Sequence, residues 1–212
     1  MNTITGVKVQ TNRKKRVNVY LDGAFAFSLE RDVALNAGLR PGQQLSPEDV
    51  NKLSGEDRHQ KCFNAACRFL SYRPRSELEV RRRLQQQGHD AASIERAIDR
   101  LKELNLINDA EFARLWTENR ETCSPRGPRL LRQELQQKGL PRDVIEQVLN
   151  DLDESDAAYR AAEKKARSLP TDDYHTFYKR LAAYLIRRGF GYEIITRTIK
   201  TVWKENEPRN IS

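Results

Sequence analysis

Three glycines, Gly88, Gly139 and Gly189, stand 51 and then 50 residues apart in the 212-residue chain, each in the same setting. The surrounding stretches read LQQQGHDAASIERAIDRL, LQQKGLPRDVIEQVLNDL and LIRRGFGYEIITRTIKTV. A leucine lies four residues before each glycine (Leu84, Leu135, Leu185) and an aliphatic eight before (Val80, Leu131, Leu181). Isoleucine lies six after (Ile94, Ile145, Ile195). A further aliphatic pair follows at ten and thirteen: Ile98 and Leu101, Leu149 and Leu152, Ile199 and Val202. A period of this fidelity means a tandem array of one supersecondary unit. Such a unit buries too little surface to be robust alone and gains the rest by stacking on its neighbours.

The spacing predicts three helices per unit, with the glycine as the left-handed residue that closes the second. Ser76 with Glu79 is a capping box for the helix that ends at Gly88. Asn105 takes the same left-handed role after the next helix, and Asn108 with Glu111 caps a helix through Trp116. Phe69 and Trp116 are equivalent positions in the lead helices, with Ala166 as their smaller third counterpart. Residues 4–29 differ: ITGVKVQ, RVNVYLD and AFAFSL alternate β-branched or aromatic residues as half-buried strands do. Val17, Val19 and Leu21 share one face, as do Phe25, Phe27 and Leu29. Asp22-Gly23 makes a tight hairpin turn and Thr11 to Lys15 a longer basic loop. Ser46-Pro47 opens a helix, and a longer one runs over 57–72 until Pro74. The expected fold is mainly α: three tandem three-helix repeats in an elongated curved array, preceded by a small β-hairpin or three-stranded sheet. The expected divisions are 1–56 for the sheet with a short helix, then 57–104, 105–153 and 154–212 for the repeats.

Charge narrows the partners. The chain carries 38 Lys and Arg against 30 Asp and Glu, a net +8 that permits nucleic acid or an acidic protein face. No apolar run approaches a membrane span, and the N-terminus lacks the apolar stretch of a signal peptide. Three cysteines are too few for a disulfide framework, so a cytoplasmic location is expected. Phosphate-cradling glycine loops, nucleophile elbows and His-Glu-x-x-His are all missing from the sequence. His59, Cys62 and Cys67 fall on one helix without a fourth ligand. Neither catalytic residues nor a metal or other cofactor is expected.

The informative charges cluster at the unit junctions. Arg73, Arg75, Arg81 and Arg82 surround the first capping box. Arg126, Arg129 and Arg132 occupy the matching stretch of the second unit, and Arg187 and Arg188 that of the third. A basic first repeat-helix in every unit predicts a track for phosphates or an acidic groove.

At these residues the chain resembles the RecX family, regulators of the RecA recombinase. RPRSELEVRRRLQQQG resembles that family's arginine-rich opening motif and LINDAEFARLWTENR its most distinctive block. SPRGPRLLRQELQQKGL and YLIRRGFGYEIITRTI correspond to the second and third repeats. The resemblance covers about residues 70–212, and the sheet is similar to the extension of longer members. One departure is Asn105, where a glycine is usual. The resemblance implies a non-catalytic monomer that binds RecA or its DNA filament and inhibits ATP hydrolysis, strand exchange and co-protease activity in DNA repair and the SOS response. It also implies weak, non-specific contact with DNA. The alternative from composition and repeats alone is a sequence-independent nucleic-acid-binding helical repeat protein.

Overall fold

A computed structural model describes residues 1–12, 14–170 and 172–206; Arg13 in the basic loop and the end of the third repeat lie outside the described residues. The chain forms two units, Met1–Ile107 and Asn108–Ser212.

The first unit begins with β1 (Asn2–Val9), β2 (Arg16–Leu21) and β3 (Ala24–Glu30), followed by α1 (Arg31–Asn36) and β4 (Gln44–Leu45). The strands lie in the order β3-β2-β1-β4, with every neighbouring pair antiparallel. Asp22 and Gly23 both take positive φ, 48° and 86°, the geometry that matches a two-residue turn to the strand twist. Val17, Val19 and Leu21 are buried with Ile4 and Leu29 as expected. Phe25 is not: the register shifts at Val19/Tyr20, so Phe25 pairs with Tyr20, stands 59% exposed and stacks edge-on against the tyrosine ring. The sheet has a fourth strand beyond the three expected. Residues 44–45 are too short to show a pattern but pair with Asn2 and Thr3.

Where two helices were expected, one runs unbroken as α2 (Pro47–Leu70), about 36 Å long. Its start is the Ser46 cap: the Ser46 hydroxyl accepts from the Asp49 amide (3.1 Å), and the Asp49 carboxylate accepts from the Ser46 amide (2.9 Å). Gly55 lies mid-helix and weakens it by about 1 kcal/mol relative to alanine. Burial on both sides of the glycine offsets this. Leu53 belongs to the core under the sheet, while Cys62 and Ala66 belong to the core of the first repeat. That repeat is completed by α3 (Glu77–Gln86) and α4 (Ala91–Glu103).

The second unit holds α5 (Asp109–Cys123), α6 (Pro128–Gln137) and α7 (Arg142–Asn150), then α8 (Glu154–Ala166), α9 (Tyr174–Arg187) and α10 (Tyr192–Asn206). Helix α5 continues past Trp116 to Cys123, because Thr117 is buried beyond it and the next breakers are Ser124 and Pro125. Helix α8 presents Ala157, Ala158, Ala161, Ala162 and Ala166, all buried, so its backbone packs closely on α10.

The repeat glycines are equivalent. Gly88, Gly139 and Gly189 have φ of 79°, 81° and 84°. In each case the next residue's amide bonds the carbonyl of the leucine four before the glycine: His89 to Leu84, Leu140 to Leu135, Phe190 to Leu185. This is the Schellman closure of a helix, and only a residue that tolerates φ > 0 completes it. Asn105 at φ 53° closes α4 the same way, with Leu106 bonded to Leu101. The leucines before the glycines are all fully buried, each at the centre of its own small core.

Candidate partner-binding surface

The nine arginines singled out from the sequence divide by what their guanidinium groups meet. Arg81 pairs with Glu95 on α4 and with Glu77 one turn back on α3 (2.6 Å). Arg132 pairs with Glu146 on α7 through two bonds of 2.7 and 2.8 Å. These are the same interaction in two repeats. The arginine stands seven residues before the repeat glycine and the glutamate seven after. The third repeat replaces it with Ala182 and Thr196, and Thr196 lies 3.4 Å from the Tyr178 hydroxyl instead. Hydrogen bonds from the arginines hold the Glu95 and Glu146 carboxyls below their ordinary range. Arg81 and Arg132 therefore clasp the second helix of the unit to the third.

Arg73 is paired with Glu79 (3.0 Å), and Arg75 lies 3.7 Å over the Phe69 ring while donating to the Phe69 carbonyl (3.1 Å). Arg126 pairs with Glu134. The same carboxylate accepts from Trp116 Nε1 (2.8 Å) and Arg120 Nε (3.0 Å), and its side chain is 12% exposed. Burial first, then the Arg120 and Arg188 cations, pushes the Arg126 guanidinium down from its ordinary value. Residue 134 and Arg83 hold the same offset from their glycines, and Arg83 meets Phe69 as Glu134 meets Trp116, which supports the equivalence of the two aromatics. Glu134→Gln keeps the shape and removes the charge. It should destabilise the second unit by about 1.5–3 kcal/mol in urea unfolding, the scale of hydrogen bonds to charged groups. A wild-type midpoint would show that Trp116 and Arg120 do not rely on it.

Arg188 fastens the second and third repeats. Its Nη1 donates to Ser124 Oγ (2.8 Å) and to the Pro125 carbonyl (3.0 Å), and its own carbonyl accepts from the Gly127 amide (2.9 Å). Gly127 is the residue that caps α6 without a side chain. A Cβ there would run into the Gly189 backbone, which explains a glycine where the first repeat has Ser76.

That leaves Arg82, Arg129 and Arg187. All three are exposed, and none is ion-paired among the described residues. On α9 they are joined by Lys179 and Arg180, likewise exposed and unpaired. The basic track expected from the sequence thus separates into a set engaged by other groups of the fold (Arg73, Arg75, Arg81, Arg126, Arg132, Arg188) and an outward set. For Arg81 and Arg132 the signal was the glutamate seven residues after the glycine, which charge counting overlooked. Of the histidine and cysteines on α2, His59 Nδ1 lies 2.8 Å from Ser93 Oγ and Cys62 is fully buried, with burial pushing its thiol up to about 11.

Family models match the chain in four consecutive blocks: the regulatory protein RecX N-terminal domain over residues 2–46, and the first, second and third three-helix domains of RecX over 62–101, 108–149 and 153–199. A regulatory protein RecX of Clostridium botulinum (strain Eklund 17B) is 34% identical over 205 residues, covering 94% of this chain and 96% of its own. One from Bacillus pumilus is 31% identical over 210 residues, covering 98% and 80%. A crystal structure of a regulatory protein RecX superposes with a TM-score of 0.78 at 24% identity, covering 95% of this chain and all of that one. RecX from Lactobacillus salivarius gives 0.63 at 28% identity over 69% of this chain and 97% of its own.

Proposed function

Because the chain belongs to the RecX family of regulatory proteins, we propose that it binds a RecA recombinase filament and restrains it, lowering ATP hydrolysis, strand exchange and co-protease activity. The observation that carries this reading is the strict recurrence of one backbone unit. The three glycine closures are equivalent, and each second helix bears at least one outward cation with no ion-pair partner among the described residues. A filament offers one subunit face again and again, and a protein built by repetition can meet it more than once. Each exposed arginine contributes little, of order 0.2–1 kcal/mol, but linked contacts add through effective concentration.

The docking set is Arg82, Arg129 and Arg187. The paired arginines act beneath it: Arg81 and Arg132 hold each helix in place, and Arg188 holds two repeats together. The test titrates the protein against RecA ATPase on single-stranded DNA. Arg82→Glu alone should raise the half-inhibitory concentration about twofold to fivefold, and the triple Arg82→Glu/Arg129→Glu/Arg187→Glu variant by fiftyfold or more, since avidity is lost as contacts are removed. Unchanged circular dichroism is the control. A folded triple variant that inhibits as the wild type does would remove these helices as the docking surface.

A further inference from the structure

A concavity of the first unit lies away from α3 and its exposed Arg82. It is a cleft of about 880 Å³ between the loop joining β1 to β2 and the C-terminal half of α2. Its lining carries five cations, Lys14, Lys15, Arg16, Lys61 and Arg68, against one carboxylate, Glu30. The charges are arranged in two layers. The floor is internally neutralised: Arg16 pairs with Glu30 (2.9 Å) and Asp57 (3.5 Å), and Lys61 pairs with Asp57 (2.7 Å). Asp57 also accepts from the Glu30 amide (2.6 Å), and Asn64 donates to Glu30 (3.1 Å). Arg16 and Asp57 are nearly inaccessible, so this network welds the sheet to α2 and fixes the shape of the cleft.

The rim is different. Lys14 and Lys15 on the loop and Arg68 on the helix are exposed and have no ion-pair partner among the described residues. All three line one cleft, Lys14 and Lys15 from the loop and Arg68 from α2. Three unpaired cations facing a common space, above a floor that cannot supply counter-charge, make a site for a polyanion. The residue after Ser71, which lines the cleft, is Tyr72, and its side chain is 78% exposed. A basic groove with an exposed aromatic residue next to its lining in the chain has the two parts that grip single strands: cations for the phosphates and a ring for a base to stack on. A duplex has its bases inside and its phosphates on a stiff cylinder, so it meets only the rim.

We infer that this cleft binds the sugar–phosphate backbone of a single-stranded nucleic acid, through Lys14, Lys15 and Arg68, with a base stacked on Tyr72. The site is separate from Arg82, Arg129 and Arg187 and does not require a recombinase.

The experiment measures fluorescence anisotropy of labelled oligo-dT, about 20 nucleotides long, with the full chain and no other protein present. Lys14→Ala/Lys15→Ala/Arg68→Ala should raise the Kd about tenfold or more. It should also lower the slope of log K against log salt by about 2, since each lost single-strand phosphate contact removes about 0.7. Tyr72→Ala should weaken oligo-dT about fivefold or more and leave binding of poly-glutamate unchanged. The Arg82→Glu/Arg129→Glu/Arg187→Glu variant should keep most of its oligo-dT affinity, which separates failure of this site from failure of the filament reading. A cleft triple variant with wild-type Kd and salt slope overturns the inference. Tighter binding of poly-glutamate than of oligo-dT assigns the cleft to an acidic polypeptide and overturns it equally, as does a Tyr72→Ala variant indifferent to oligo-dT.

Discussion

Gly189→Ala should destabilise the second unit by about 3–5 kcal/mol, whereas Gly88→Ala should cost the first unit only about 1–2 kcal/mol. Both glycines hold the same left-handed conformation, at 84° and 79°, so both substitutions incur the same backbone strain. The difference is what a methyl group would meet. At Gly88 there is nothing within 4 Å. At Gly189 it would sit 2.5 Å from the Leu130 amide nitrogen and 2.6 Å from the Leu130 Cβ, inside the junction of the second and third repeats. Relief requires the backbones of two repeats to part, which also strains the bonds from Gly127 and Arg188 across that junction. Thermal unfolding followed by circular dichroism should show a fall of about 15–25 °C for Gly189→Ala and a far smaller one for Gly88→Ala. Equal losses would mean that only the helix closure matters at these positions and that the junction yields freely.

The repeat leucines should be comparably sensitive. Leu84→Ala, Leu135→Ala and Leu185→Ala should each cost about 2–5 kcal/mol, the lost transfer energy plus the cavity left behind. All three side chains are fully buried, and each core is assembled from about a dozen residues or fewer. So small a core has little freedom to collapse around a void. Leu84→Ala should lower the transition of Met1–Ile107, and the other two that of Asn108–Ser212. Urea unfolding of the three variants at wild-type midpoints would show that the repeat cores lie elsewhere.

The sequence marked its helix ends more clearly than its helix continuities. Glycine, Asn105, Ser76 and Asn108 announce termini because each serves an orphan backbone group that only a few residue types can serve. Gly55 looks like a break for the same reason, yet α2 runs through it, since Leu53 on one side and Cys62 on the other are held by separate cores. Strand β4 and helix α1 are too short for periodicity to register, and their existence depends on partners far along the chain. The candidate surface was half legible. Arginines at fixed offsets from the glycines are visible in one dimension. That Arg81 and Arg132 turn inward depends on the crossing of two helices, which brings Glu95 and Glu146 alongside. The cleft left no local mark, because Lys14 and Lys15 meet Arg68 only after the sheet has folded onto α2.

Helix α2 has its N-terminal half in one core and its C-terminal half in another. An isolated sheet of this size is not stable, and a three-helix repeat deprived of its lead helix loses the floor of its core. Neither module can therefore melt without stripping a face from the helix they share. The amides of the sheet and of α3 and α4 should consequently exchange with solvent through one common opening, as a single foldon, although the segments are separated by tens of residues. Native-state hydrogen exchange reads this directly. A nucleic acid held at the mouth of the cleft would then slow exchange in α4, far from any atom it touches, because the ligand would be stabilising the only state in which α2 is whole.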